Sequence, residues 1–239
     1  MTSVEGQTVE QRVAEIRRRI AEAARRAGRT EDSVTLVGAS KRQALERLQA
    51  AWAGGLRVFG ENRVQEALEK QPQMPAEVEW HLIGPLQSNK AKRAALAFSA
   101  VHSIDRPKIA RALDRHAGEA ARSIEGLLEV NLGEEPSKHG FSPSNLVTEA
   151  LPLADLEHLR IVGLMAIPPF EPDPAAARVW FRRLRELRDD LFSDAAWSGR
   201  PGYLSMGMSH DFETAIEEGA THVRVGTSLF GSRPPLAAP

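Results

Sequence analysis

The chain has 239 residues, 42% of them hydrophobic, and a formal charge of −1 from 31 basic and 32 acidic side chains. That length suits one α/β barrel, which typically needs about 250 residues, or two small domains. So even a charge balance favours neither nucleic acid nor an acidic membrane surface, and the lack of cysteine excludes disulfides, thiolate zinc sites and cysteine nucleophiles.

Residues 1–29 are charged and helical in pattern, with no secretory h-region. Glu5, Glu10, Glu15 and Glu22 argue against a transit peptide. No apolar run approaches the ~20 residues of a membrane span. A soluble cytoplasmic protein is therefore expected.

Val9, Val13, Ile16, Ile20 and Ala24 fall at helical spacing over residues 8–27, and Gly28 is a fitting stop. Strand patterns follow at 34–39, 56–60, 79–84, 100–104, 126–131, 160–166, 203–207 and 222–226. Helical segments lie between them, for example 42–53, 63–69, 90–98 and 175–192. Strict β–α alternation implies a parallel sheet with right-handed crossovers. Eight units favour closure into a single (β/α)8 barrel over the rival open doubly wound sheet. After the eighth strand only 227–239 remains, with Pro-rich coil at 232–239. The expectation is one domain over 1–239, with the N-terminal helix (1–28) covering the last seam. The Pro-rich stretch 168–174 reads as a rim loop.

In such barrels the functional site lies at the C-terminal ends of the strands. Lys41 stands just past the first strand, and only six of the 31 basic residues are lysines. Unlike arginine, lysine can lose its proton when desolvated and form a Schiff base with a carbonyl. Lys90 and Lys138 also lie near the rim, so position alone leaves a solvated rim lysine open.

The loops after strands seven and eight often hold phosphate in these barrels. Here they present Met206-Gly207-Met208-Ser209, with a helix expected from about His210 and Ser209 as its N-cap, and Gly226-Thr227-Ser228. The simpler alternative is that Ser209 only caps its helix and Gly226 only turns the chain. Asp211 would repel a phosphate unless it points away. In 222–226 the valines share one face, so Arg224 points into the barrel near its mouth. A buried arginine needs a partner, and a structural ion pair with Glu61 or Glu129 is the competing reading. Ser209-His210-Asp211 is not a hydrolase triad, because adjacent residues cannot align their side chains as a triad requires. The seven histidines show no metal-binding spacing, so no metal is expected.

Ala39-Ser40-Lys41, Phe59-Gly60-Glu61-Asn62-Arg63-Val64-Gln65-Glu66, Trp80-His81-Leu82-Ile83-Gly84-Pro85-Leu86-Gln87-Ser88-Asn89-Lys90, Gly163-Leu164-Met165, Leu204-Ser205-Met206-Gly207-Met208-Ser209 and Val223-Arg224-Val225-Gly226-Thr227-Ser228-Leu229-Phe230-Gly231 carry a resemblance. Together they resemble the pyridoxal phosphate homeostasis proteins, formerly called proline synthetase co-transcribed homologues. The likeness covers about 34–233. It implies a barrel similar to the N-terminal domain of alanine racemase, with pyridoxal 5'-phosphate as cofactor and Lys41 as the internal-aldimine lysine. By the same resemblance Ser209, Gly226 and Thr227 hold the phosphate, Arg224 faces the pyridine nitrogen, and Asn62 lies at the cofactor edge. Arg42-Gln43 stands where the family often has Thr-Lys, and Arg63 where it often has Tyr.

The resemblance further implies a role in vitamin B6 homeostasis and cofactor supply, with apo-enzymes as transient recipients and no established catalytic residue. An arginine beside the pyridine nitrogen weakens the ring as an electron sink. Racemases of this design use a tyrosine from a following β domain, whereas the single tyrosine here, Tyr203, begins strand seven at the opposite face. A monomer without efficient turnover is expected. The alternatives are a pyridoxal-phosphate racemase or lyase, and a cofactor-free Schiff-base aldolase.

Overall fold

The computed structural model describes residues 6–135 and 138–231, so the coil expected at 232–239 lies outside the described residues. Eight parallel strands close into a barrel in sequence order. They are β1 (Thr35–Ala39), β2 (Val58–Glu61), β3 (Glu79–Leu82), β4 (Ala100–Ile104), β5 (Ile124–Glu129), β6 (Leu159–Met165), β7 (Tyr203–Met208) and β8 (His222–Val225). Around them run α1 (Val9–Arg26), α2 (Leu45–Ala53), α3 (Val64–Lys70), α4 (Ala91–Ala97), α5 (Pro107–Glu119), α6 (Leu146–Ala150), α7 (Arg178–Phe192), α8 (Phe212–Glu217) and α9 (Thr227–Phe230). Closure is direct: Leu36 pairs with Val223, Val37 with Arg224 and Gly38 with Val225.

The boundaries differ from the sequence pattern for local reasons. Leu56 does not open β2, because its N–H bonds Ala51 O and finishes α2. Residues 40–43 do not open α2, because Gln43 N–H returns to Ser40 O in a tight turn. A short helix, α9, follows β8, where the sequence suggested no helical element.

Helix α1 begins in a reciprocal cap, with Thr8 Oγ1 accepting from Gln11 N–H and Gln11 Oε1 accepting from Thr8 N–H. It buries Val13, Ile16, Ile20, Ala23 and Ala24. That face packs against α2, α8 and α9, the elements flanking the β1–β8 junction. Arg19 pairs with Glu213 and Arg26 with Glu217, tying its outer edge to α8. No described helix is long and apolar enough to cross a membrane.

Small β/α barrels usually fill their interior with layers of branched aliphatic side chains. This one has two small apolar groups inside, Val37, Val58 and Ile83 on one side and Leu127, Val162 and Met165 on the other. The buried polar residues His81, His102, Ser205, His222 and Arg224 occupy the rest. Each comes from period-two alternation; in β8, Val223 and Val225 join the outer core while His222 and Arg224 do not.

Truncating Ile16 to Ala is expected to cost about 2–5 kcal/mol, as for other buried large-to-small changes. Arg18→Ala, on the exposed face, should stay within about 0.5 kcal/mol. Urea unfolding of both variants reads the difference, and equal midpoints would show that α1 adds no core.

Candidate functional site

Lys41 sits in the turn leaving β1, between two fixed neighbours. Ser40 is buried; its N–H donates to Gly60 O (2.9 Å) and its hydroxyl to Glu61 Oε1 (2.7 Å). Arg42 adopts φ 59°, a left-handed conformation costly for a side chain of its size, and its N–H donates to Glu66 Oε1 (2.5 Å). Lys70 joins both flanks. Its ammonium donates to Ser40 O (2.9 Å), Glu61 Oε1 (2.7 Å) and Glu66 Oε1 (2.7 Å). Burial raises the Glu61 carboxyl above its ordinary range, opposed by Lys70 and Ser40. With Glu61 so engaged, Lys70 rather than Arg224 is its ion-pair partner.

Arg224 is buried inside the barrel below the mouth. It donates from Nη1 to Ser205 Oγ (2.6 Å) and from Nη2 to Ala166 O (2.9 Å). Burial lowers its guanidinium to about 10, opposed by Glu129 and Asp211, so it stays a cation at neutral pH. Burial and the nearby Asp105 push Glu129 up to about 7, against the pull of Arg224.

A guanidinium can only donate, so Ser205 Oγ accepts from Arg224. Ser205 Oγ also shares a hydrogen bond with His102 Nδ1 (2.8 Å), and His102 Nε2 shares one with His81 Nδ1 (3.0 Å). His81 Nε2 lies 3.9 Å from Glu79. Burial holds all three interior histidines neutral, with His81 lowered to about 3, His222 to about 4 and His102 well below the usual range.

At the far side of β1, the β7 loop meets the β8 loop. Gly207 at φ 89° turns the end of β7, where an added Cβ would lie 2.5 Å from Ala215 Cβ. Ser209 does not cap a helix: α8 starts at Phe212 with Asp211 at the cap position. Instead Ser209 Oγ accepts from the N–H groups of Gly226 (3.2 Å) and Ser228 (3.3 Å). Asp211 Oδ1 is committed to Met208 N–H (2.7 Å). Thr227, the first residue of α9, is exposed beside this junction.

Lys41 and Asn62 line a cavity of about 540 Å³ with residues of the β2 and β3 loops. Ser209, Gly226 and Thr227 are not among its lining residues. Lys41 thus stands between an open cleft and a hydrogen-bonding turn, because β1 pairs with β2 on one side and β8 on the other. Lys138, another rim lysine, is paired with Glu135 (2.6 Å). No metal-binding cluster of His, Asp or Glu occurs among the described residues.

A family model, alanine racemase N-terminal domain, matches residues 12–234. The pyridoxal phosphate homeostasis protein of Aquifex aeolicus is 43% identical over 224 residues, covering 93% of this chain and 97% of the relative. Its counterpart in Pseudomonas aeruginosa is 44% identical, covering 95% and 96%. The chain belongs to the pyridoxal phosphate homeostasis protein family. Among solved members of similar sequence is PipY of Synechococcus elongatus with pyridoxal phosphate bound, 38% identical, with a TM-score of 0.82 over 94% of this chain and 100% of PipY. Alanine racemase from Corynebacterium glutamicum shares the fold at 15% identity, with a TM-score of 0.66 over 96% of this chain and 63% of the racemase.

The reading from sequence missed Lys70 and the interior histidines of this family member. The signals were present: Glu66 and Lys70 are one helical turn apart, His81 lies between Trp80 and Leu82, and His102 and His222 each adjoin one outward-facing valine, Val101 and Val223.

Because the histidines are neutral when folded and titrate near 6.5 when unfolded, the unfolded chain binds more protons below that pH. Their contribution to stability is therefore complete above about pH 6.5 and is lost as pH falls toward 4. Urea midpoints across pH 4–7.5 should show this decline, with a shallower slope in His81→Gln. Removing Lys70 (Lys70→Met) should cost about 3–5 kcal/mol, since Glu61 is left buried without its cation; a midpoint within 1 kcal/mol of the parent would refute that role.

Proposed function

We propose that this protein binds pyridoxal 5'-phosphate at the barrel mouth and serves cytoplasmic cofactor homeostasis and supply, without efficient turnover of its own. One juxtaposition carries the reading: a lysine held in a fixed turn lies beside loop N–H groups that converge on one oxygen, above a buried arginine. Kinship with PipY, whose structure holds the cofactor, supports it.

The residues present fit the group. When bound, the cofactor supplies an aldehyde that reacts reversibly with amines. Lys41 would hold it through its amine, with both flanks of the turn anchored by Lys70 and Glu66. Gly226 and Ser228 N–H already meet an oxygen acceptor, Ser209 Oγ, and with the Thr227 hydroxyl they offer a phosphate charge-assisted bonds. Asn62 would border the cofactor from the β2 end. Arg224, a cation with donors only, would present hydrogen to a ring nitrogen and keep a proton off it.

Turnover needs a group that moves a proton on the open side of the mouth. Tyr203 lies at the other end of the barrel, its ring 5.0 Å from His222. General acid–base help is worth typically about 10²–10⁴-fold, and the absence of a tyrosine at the mouth supports a holder that passes the cofactor to apo-enzymes. One observation favours the racemase or lyase alternative: Glu129, pushed to about 7, could exchange a proton near neutrality. Nothing comparable favours a cofactor-free aldolase.

Purified protein given pyridoxal phosphate should turn yellow. Borohydride should fix the label on the Lys41 peptide, and Lys41→Ala should abolish it. Label on Lys90 or Lys138 would sink the assignment. Loss of the α-deuteron from labelled amino acids at about 1–10³ per second would replace the holder reading with the racemase one.

A further inference from the structure

Two motifs, Gly60-Glu61-Asn62-Arg63-Val64-Gln65-Glu66 and Ile83-Gly84-Pro85-Leu86-Gln87-Ser88-Asn89-Lys90, supply most of the cleft beside Lys41. Holding the cofactor uses Asn62 from them and leaves Arg63 and Lys90 without a role. Resting on the reading above, we propose that this cleft binds the carboxylate of a free amino acid, with Arg63 and Lys90 as its cations.

Charge is the first argument. Among the described residues the charged lining is Lys41, Arg63 and Lys90, with His139 at the rim, and no carboxylate lines the cavity. Neighbouring cations are neutralised: Lys70 by Glu61 and Glu66, Lys138 by Glu135, and Arg106 by Asp105. Among the described residues Lys41, Arg63 and Lys90 have no such ion-pair partner. Cations converging in a concave, low-dielectric wall focus potential on an anion.

The wall is also built rather than loose. Gly84 packs so closely on the β2 loop that a Cβ there would lie 2.6 Å from Asn62 O and 2.7 Å from Asn62 Cα. Its carbonyl accepts from the buried Ser103 hydroxyl (2.6 Å). Leu86, 3% exposed, anchors the next turn, and Lys90 N–H closes it onto Gln87 O (2.9 Å). The two loops that carry Arg63 and Lys90 are thus fixed to each other.

The ligand class follows from the contents. A guanidinium offers paired donors that match a carboxylate, and an ammonium adds a second charge. Among the described residues the only ring lining the cleft is the rim imidazole of His139, while Gln87 offers neutral bonds and Val64 and Leu86 an apolar surface. A carboxylate seated there would bring a ligand's amine toward Lys41, the one position in the mouth where amines are exchanged. An amino acid fits both demands, and a second carboxylate suits the second cation.

Calorimetric titration of the full chain with L-glutamate, at low salt and with pyridoxal phosphate loaded, tests this. Glutamate should bind, and Arg63→Ala and Lys90→Ala should each weaken it about ten-fold or more, the scale of one lost charged hydrogen bond. L-lysine methyl ester, which lacks a free carboxylate, can still exchange amines at the cofactor but should show no binding that depends on Arg63 or Lys90. Melting temperatures should be unchanged in Arg63→Ala, whose side chain is exposed. Absence of glutamate binding, binding indifferent to both variants, or equal affinity for inorganic phosphate through the same two residues would each overturn the proposal. Borohydride labelling of Lys41 is read on the same samples. Intact labelling without glutamate binding removes the cleft alone, while glutamate binding that depends on Arg63 and Lys90 without labelling removes the cofactor reading and leaves the cleft standing.

Discussion

An arginine buried inside a barrel constrains everything near it. Arg224 cannot accept a hydrogen bond and stays charged, so each contact must be an acceptor. Ser205 meets that demand and is itself hydrogen-bonded to His102, which is hydrogen-bonded to His81. These four interior groups therefore form one connected chain rather than a set of separate exceptions to an apolar core. Apolar contacts survive only at its flanks, as the small groups around Val37 and Leu127.

The turn bearing Lys41 follows a second rule. Its backbone is held in a left-handed conformation at Arg42, and the compensation comes from α3, where Glu66 and Lys70 grip residues on both sides of the lysine. Rigidity lies in the neighbours, while the Lys41 side chain stays half-buried and facing the cleft. A side chain that must meet a ligand's atom from a defined direction benefits from a fixed backbone more than from a fixed rotamer.

Much of this was legible in the sequence, and the failures have physical causes. Eight β/α units could be counted because each strand is a short apolar run and each helix an amphipathic one. Arg224 could be placed inside because its two flanking valines had to face the helices. Ser209 was legible as a rim residue but not as a partner of the β8 loop: the sequence suggests a helix cap, while the β8 loop takes its hydroxyl. Glu61 was one of two carboxylates offered to Arg224, yet Lys70, nine residues on, reaches it at 2.7 Å. Side-chain pairing across a closed barrel depends on register and reach, which a linear pattern does not contain.

Closure through β1 and β8 places the two most distant strands of the chain side by side, and α1 spans the junction from the N-terminal end. Contacts of such sequence separation carry a large loop-closure cost and slow folding. On a ribosome, the Lys41 turn and α3 can assemble early, whereas the oxygen-binding junction of Ser209 with Gly226 and Ser228 must await the last strand. The phosphate hold proposed at that junction would thus require the finished barrel, whereas a partly made chain offers only the Lys41 turn.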